Sequence, residues 1–239
     1  MKLKIEAVSD VGVVRSNNED IAIVGEKKIR DKALSCECRT PLLIAVADGM
    51  GGYEGGEIAS ELVADQLIDF CDEADFSADS FKVWASVTND VVLARAKSLG
   101  FNDMGTTLTG IHFGEDGNAL MFNIGDSRVY RLRDGILRQL TTDHSMKELT
   151  KNPDYPSNII YNCFGLERDF FADVKDVTDM LLPDDTVLVC SDGLSDMLPD
   201  DEIESLLPSG AEALLSAANN AGGEDNITFI IATLLDDNN

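Results

Sequence analysis

Three apolar, strand-like runs in this chain end directly on an aspartate, and two more begin immediately after one. Leu42 to Ala47 leads into Asp48-Gly49, Leu120 to Gly125 into Asp126-Ser127, and Val187 to Ser191 into Asp192-Gly193. Asp20 precedes Ile21 to Val24, and Asp225 with Asn226 precedes Ile227 to Ile231. In an antiparallel sheet the end of one strand lies beside the start of its neighbour, so these aspartates can gather on one rim. Carboxylates gathered on a rim repel and raise each other's pKa, and a divalent cation relieves that repulsion. The chain therefore reads first as a carboxylate metal site on a β scaffold.

The chain's 239 residues suit one large domain or two small ones, and 44% hydrophobic content is enough for a full core. A formal net charge of -25, from 44 acidic and 19 basic residues, argues against nucleic acid or an anionic membrane as partner. Most of the acids are spread along the chain as a solvated surface. No apolar run approaches the ~18 residues of a membrane span, and Met1 to Glu6 reads as strand, not as a secretory leader. The five cysteines are an odd set, which suits reduced thiols and a cytoplasmic location. Cys36 and Cys38 lack zinc-knuckle spacing and no second pair follows, so the cysteines are expected to be ordinary loop and core residues.

Strands are expected at 2–9, 20–26, 42–47, 106–113, 119–124, 128–133, 137–140, 172–176, 186–190 and 227–235. Turn signals at 115–118 and at Arg133-Asp134-Gly135 are of hairpin type. Helical periodicity covers 57–70 and 79–99, with Ser80 or Asp79 able to cap the second helix. Later helices are expected at 200–207 and 211–221. Each early helix has one apolar face, and strands such as 42–47 are apolar on both faces. Both features fit an α+β fold: a four-layer α-β-β-α sandwich, two antiparallel sheets flanked by helices, as a single domain over 1–239. Residues 143–165 have weak periodicity and two prolines, and read as a mobile flap.

The only histidines are His112 and His144, so a metal held here would have oxygen ligands and be Mg²⁺ or Mn²⁺. Gly49 and Gly193 let the backbone turn sharply after a carboxylate and let a carbonyl approach an ion. The loop from Gly49 to Gly56 lacks the Gly-Lys-Ser/Thr ending of a phosphate cradle. Arg15, five residues before Asp20, reads either as a structural ion pair or as a fork for a phosphate dianion.

These residues resemble the type 2C metal-dependent protein serine/threonine phosphatases in their bacterial form. Arg15 to Glu19-Asp20 is similar to the family's opening motif, and Asp48-Gly49-Met50-Gly51-Gly52 to its Asp-Gly-x-x-Gly signature. Gly105-Thr106-Thr107, Gly125-Asp126-Ser127-Arg128, Ser191 to Asp196 and Asp225-Asn226 follow in the family's order across nearly the whole chain.

The resemblance implies hydrolysis of phosphoserine and phosphothreonine in proteins by a bridging hydroxide at a dinuclear Mg²⁺ or Mn²⁺ centre. Asp48 would bridge the ions and the Gly49 carbonyl would bind one. Asp192 and Asp225 would hold an ion, Asp20 and Glu19 would act directly or through water, and Arg15 would bind the substrate phosphate. Asn226 would lie just behind the ligands. A weaker third site would fall on Asp126, Asp192 and Asp196. Gly105, Thr106 and Thr107 are expected to position the sheet rather than do chemistry.

Two features depart from the family pattern. Met50 stands where eukaryotic members often carry a histidine, which leaves water as the general acid, and His144 is expected to pack rather than to donate a proton. The flap is also shorter than is typical of bacterial members. The expected protein is a monomeric enzyme that opposes a serine/threonine kinase in signalling. The alternatives are a non-catalytic phosphoprotein-binding pseudophosphatase and a hydrolase of small phosphates using the same centre.

Overall fold

The fold is known from a computed structural model. It describes residues 1–51, 55–73, 76–115, 117–152, 154–156 and 158–235. The first strands are β1 (Lys2–Asp10), β2 (Ile21–Val24), β3 (Lys27–Ile29), β4 (Lys32–Arg39), β5 (Leu42–Ala47) and β6 (Gly49–Met50). Helices α1 (Gly55–Glu73) and α2 (Ala78–Leu99) come next, followed by β7 (Gly105–Thr106), β8 (Leu108–Phe113), β9 (Ala119–Ile124), β10 (Arg128–Arg133) and β11 (Ile136–Gln139). The rest comprises α3 (Met146–Thr150), β12 (Asp173–Asp176), β13 (Thr186–Cys190), α4 (Asp192–Ser195), α5 (Asp200–Leu206), α6 (Ala211–Asn220) and β14 (Ile227–Leu235).

Two six-stranded antiparallel sheets face each other, in the orders β11-β10-β13-β14-β1-β4 and β12-β9-β8-β5-β2-β3. Strand β5 shows why the layers form. Leu42, Ile44 and Val46 point into the core between the sheets, while Leu43, Ala45 and Ala47 pack under α1 and α2. A period-2 strand that is apolar on both faces must be covered on both. A fully buried branched side chain such as Ile44 contributes roughly 1.5–3 kcal/mol. On the other sheet, α4, α5 and α6 cover Val8, Tyr130, Leu188 and Phe229. The result is the expected α-β-β-α sandwich.

Several local expectations change. Residues 27–39 form two strands with no counterpart among those expected, β3 pairing with β2 in one sheet and β4 with β1 in the other. Strand β4 is the outermost of its sheet and carries exposed residues along most of its length, so it lacks an apolar signal. The expected strand 20–26 shortens to β2. Helix α2 is capped by Ser77, not by Ser80 or Asp79. Ser77 accepts from the Ser80 amide while the Ser80 side chain accepts from the Ser77 amide, a reciprocal capping box.

The strand expected at 106–113 divides at Thr107, whose amide bonds the Asp48 carbonyl instead of continuing the ladder. The Asp134-Gly135 turn forms as expected, with both residues at positive φ. Residues 143–165 contain the short helix α3, capped by Ser145, and a bridge between Ser145 and Ile160. Gly52, Asp116, Pro153 and Ser157, on which parts of the motif, turn and flap expectations fall, lie outside the described residues.

Candidate metal centre

The register of the sheets brings the strand-end aspartates to one rim. β2 and β5 pair with Ile21 opposite Ala47, so Asp20 and Asp48 lie side by side. β13 and β14 pair with Cys190 opposite Phe229, which sets Asp192 next to the Asp225-Asn226 turn. β9 ends at Ile124 opposite Leu108 on β8, two strands from β2, and so delivers Asp126 to the same edge. One sheet thus supplies Asp20, Asp48 and Asp126, and the other supplies Asp192 and Asp225.

Burial and mutual repulsion dominate the electrostatics here. Burial pushes Asp20 up to about 8; Asp192 and Asp225 add to this, and hydrogen bonds with Ser191 and Thr228 oppose it. Asp48 lies well above the usual carboxylate range, from burial first and then from Asp20, Asp192, Asp126 and Asp225. Asp192 rises to about 6 through burial, then through Asp225 and Asp196, with a hydrogen bond to Asp48 in partial opposition. Burial also lifts Asp126, helped by Asp192, Asp143 and Asp196. Glu19 is raised by burial, against the pull of its hydrogen bond from Asn17.

Asp20 Oδ2 is buried with no hydrogen-bond partner among the described residues. Such an oxygen is costly in the bare protein and available to a cation. With side chains as they stand, no three described His, Cys, Asp or Glu groups converge tightly enough to enclose an ion. What exists is a self-repelling rim of oxygen donors whose chemistry suits a hard divalent cation.

The backbone that carries these groups is held closely. The Asp48 carbonyl accepts from the Thr107 amide at 2.8 Å and from Thr106 Oγ1 at 2.9 Å, while the Asp48 amide donates to Thr107 Oγ1 at 3.1 Å. Thr106 and Thr107 therefore position the strand end, as the sequence suggested. A Cβ on Gly49 would stand 2.3 Å from the Gly56 carbonyl oxygen, and one on Gly193 would stand 1.9 Å from that of Asn226. Only glycine permits those approaches.

Asn226 ties three segments together. Its Nδ2 donates to the Val11 and Asn17 carbonyls, each at 3.0 Å, and its Oδ1 accepts from the Glu19 amide at 2.8 Å. Sequence reasoning missed Arg30 and Ser60. Arg30 Nε donates to the Asp20 carbonyl at 3.1 Å, and Ser60 Oγ donates to that of Glu19. Arg30 directly follows β3, an element without apolar periodicity, so nothing in its surroundings marked it.

Arg15 Nη2 donates to Asp225 Oδ2 at 2.7 Å, with both side chains substantially exposed. The pair borders a cavity of about 500 Å³ lined also by Asn17, Glu19, Asp48, Met50, Asp126 and Asp192. Asp126 and Asp192 line a second cavity of about 750 Å³ as well, together with Asp196. Neither histidine lines either cavity. His144 is buried, with Nδ1 accepting from the Gly125 amide at 3.1 Å and from Asn162 Nδ2 at 2.9 Å. Its Nε2 lies 3.2 Å from Asp173 Oδ2, so the ring proton sits on Nε2 and the imidazole braces the start of the flap. His112 stacks on Phe76 with ring centroids 4.2 Å apart.

An α-β-β-α sandwich with a two-sheet carboxylate rim and an arginine beside it defines a class of phosphatase. The chain belongs to the protein phosphatase 2C family, whose model matches residues 23–228. It is 35% identical to the serine/threonine phosphatase Stp of Listeria monocytogenes, over 93% of this chain and 92% of that one. It is equally 35% identical to the serine/threonine protein phosphatase PstP of Mycobacterium tuberculosis, over 98% of this chain and 45% of that one.

Among solved structures, the S. agalactiae serine/threonine phosphatase matches with a TM-score of 0.83 and 30% identity, covering 97% of this chain and 99% of that one. The catalytic domain of PstP in complex with two manganese ions matches with a TM-score of 0.77 and 31% identity, covering 98% and 100%. Among the described residues, no helix is long and apolar enough to cross a membrane.

Proposed function

We propose that this chain hydrolyses phosphoserine and phosphothreonine in proteins, at a centre for two Mn²⁺ or Mg²⁺ ions. Asp20, Asp48, Asp192, Asp225 and the Gly49 carbonyl would hold the ions, and Asp126, Asp192 and Asp196 a weaker third. The observation that carries this reading is the rim itself: carboxylates from both sheets face one another, and one of them is buried with an unpartnered oxygen. The PstP catalytic domain, similar over 98% of this chain, was solved with two manganese ions. When bound, such ions supply an activated water as nucleophile and neutralise phosphoryl charge.

The chain's own residues do the rest. Arg15 offers five N–H donors, of which Nη2 bonds Asp225; the others are available to phosphoryl oxygens at the cavity mouth. Thr106, Thr107 and Asn226 hold the carboxylate-bearing turns in place, so little reorganisation accompanies the reaction. Met50 has no proton to give and neither histidine lines the cavity, so the leaving serine or threonine oxygen takes its proton from solvent. The counterpart of such an enzyme is a serine/threonine kinase. We read 1–239 as one catalytic domain acting as a monomer.

The test is hydrolysis of a phosphothreonine peptide by the wild type and by Asp48→Ala, with and without Mn²⁺ and EDTA. Mn²⁺-dependent turnover is expected in the wild type and loss of about 10²–10³-fold or more in the variant, the scale of removing one preorganised charge-stabilising group. Full turnover in excess EDTA would contradict the proposal. Turnover of a free nucleotide but not of the peptide would redirect it to small phosphates.

A further inference from the structure

The end of the sandwich away from the aspartates carries sulfur chemistry that phosphoryl transfer does not use. Cys36 and Cys38 stand two residues apart on β4, so both project from the same face of the strand. Their sulfurs are 3.5 Å apart, and both side chains are half-buried free thiols. They line a cavity of about 420 Å³ shared with Cys71 and His112, wide enough for a small oxidant. β4 pairs with β1 along one edge and with no strand among the described residues along the other, so it can buckle outward locally.

We propose that Cys36 and Cys38 form a reversible dithiol–disulfide site, oxidised by hydrogen peroxide. The Cys36 sulfur attacks one peroxide oxygen, the O–O bond breaks, and a sulfenic acid and one water result. The Cys38 sulfur then attacks the Cys36 sulfur, the S–O bond breaks, and the departing oxygen leaves as a second water with the Cys38 proton. Overall, two thiols lose two electrons and two protons while the peroxide is reduced to two waters.

The 3.5 Å separation of the sulfurs lets either thiol resolve a sulfenic acid formed on the other, and burial with the neighbouring Cys36 pushes Cys38 up to about 11, which disfavours Cys38 as the first attacker. Reversibility follows from geometry. At ~3.3–3.4 Å of rise per residue, the two Cα atoms of an extended i, i+2 pair lie about 6.7 Å apart. That is at the upper end of the ~4.4–6.8 Å that disulfides span, so closure strains the strand and leaves a bond that reductants open readily.

The test uses the full chain, hydrogen peroxide as oxidant, alkylation of the remaining thiols and peptide mass spectrometry. Trypsin releases Ala33 to Arg39, which contains Cys36 and Cys38 and no other cysteine. After peroxide this peptide should escape alkylation and lose about 2 Da, as two thiols become one disulfide, and dithiothreitol should restore it. Cys71→Ser should leave that change intact. In Cys38→Ser, Cys36 should stop at the sulfenic acid and react with dimedone. Full alkylation of both cysteines after peroxide would overturn the proposal, as would a cross-link from either one to Cys71. The readout is independent of phosphatase activity, so it stands or falls apart from the proposed function.

Discussion

The two ends of the same sandwich are built from opposite chemistry. At one end, β2, β5, β9 and β13 begin or finish on aspartates that burial and mutual repulsion disfavour as anions, with Asp225 at the start of β14 beside them. At the other, β2 and β5 end among sulfur and aromatic groups: Val24 and Leu42 border the cavity of Cys36, Cys38 and His112, whose ring stacks on Phe76. Between them, β2 and β5 are entirely buried apolar residues. The contrast shows where stability is given up for function. The apolar middle offsets a carboxylate rim that, without a cation, works against the fold.

That contrast can be broken from the carboxylate end. The largest effect expected is on turnover. Asp192→Asn should lose about 10²–10³-fold in kcat while keeping a wild-type circular dichroism spectrum, because it removes charge without removing volume. Unfolding of this variant would mean that the rim stabilises the protein instead.

The next effect concerns stability. Mn²⁺ at a hundredfold excess over its Kd should stabilise the metal-free protein by about 2.7 kcal/mol. At ~2–4 °C per kcal/mol for a chain of this size, calorimetry should show a rise of roughly 5–11 °C. Asp48→Ala should lose most of that rise.

Arg15 sharpens the comparison at the cavity mouth. Its pair with Asp225 is exposed, so Arg15→Gln should change stability by no more than about 1 kcal/mol. If it binds phosphoryl oxygens, kcat/KM should fall about ten- to a hundredfold, the worth of a hydrogen bond to a charged group. An unchanged kcat/KM would leave Arg15 as a structural ion pair only.

The last effect is a pH slope. Folding raises Asp20 from its ordinary 3.8 to about 8, and Asp192 to about 6. The folded state then binds protons that the unfolded state has released, so metal-free stability is fullest below about 4 and is lost as pH rises towards 8. Thermal melts from pH 5 to pH 8 should fall along that slope, and Asp20→Asn should flatten it. An unchanged slope in the variant would place the effect elsewhere.

Much of this was legible in the sequence because the informative features were local. A strand that is apolar on both faces predicts its own covering layers, and an aspartate at its end needs only antiparallel pairing to reach the rim. Edge structure and long-range bonds were not legible. Strands β3 and β4, at the edges of the two sheets, are mostly exposed, so no hydrophobic alternation announced them, and Arg30 was lost with them. The Ser77 cap lay before both expected candidates, Asp79 and Ser80, because its reciprocal bond with Ser80 is visible only in three dimensions. His144 was expected to pack, and its bonds to Gly125 and Asn162 show what it packs against.

The most direct measurement is a crystal structure of the Mn²⁺-soaked protein with anomalous scattering recorded at the manganese edge. Two manganese peaks should appear between the sheet rims, within coordination distance of Asp48 and flanked by Asp20, Asp192 and Asp225. Diffraction from protein that turns over phosphopeptide with Mn²⁺, yet shows no manganese at that rim, would contradict the account.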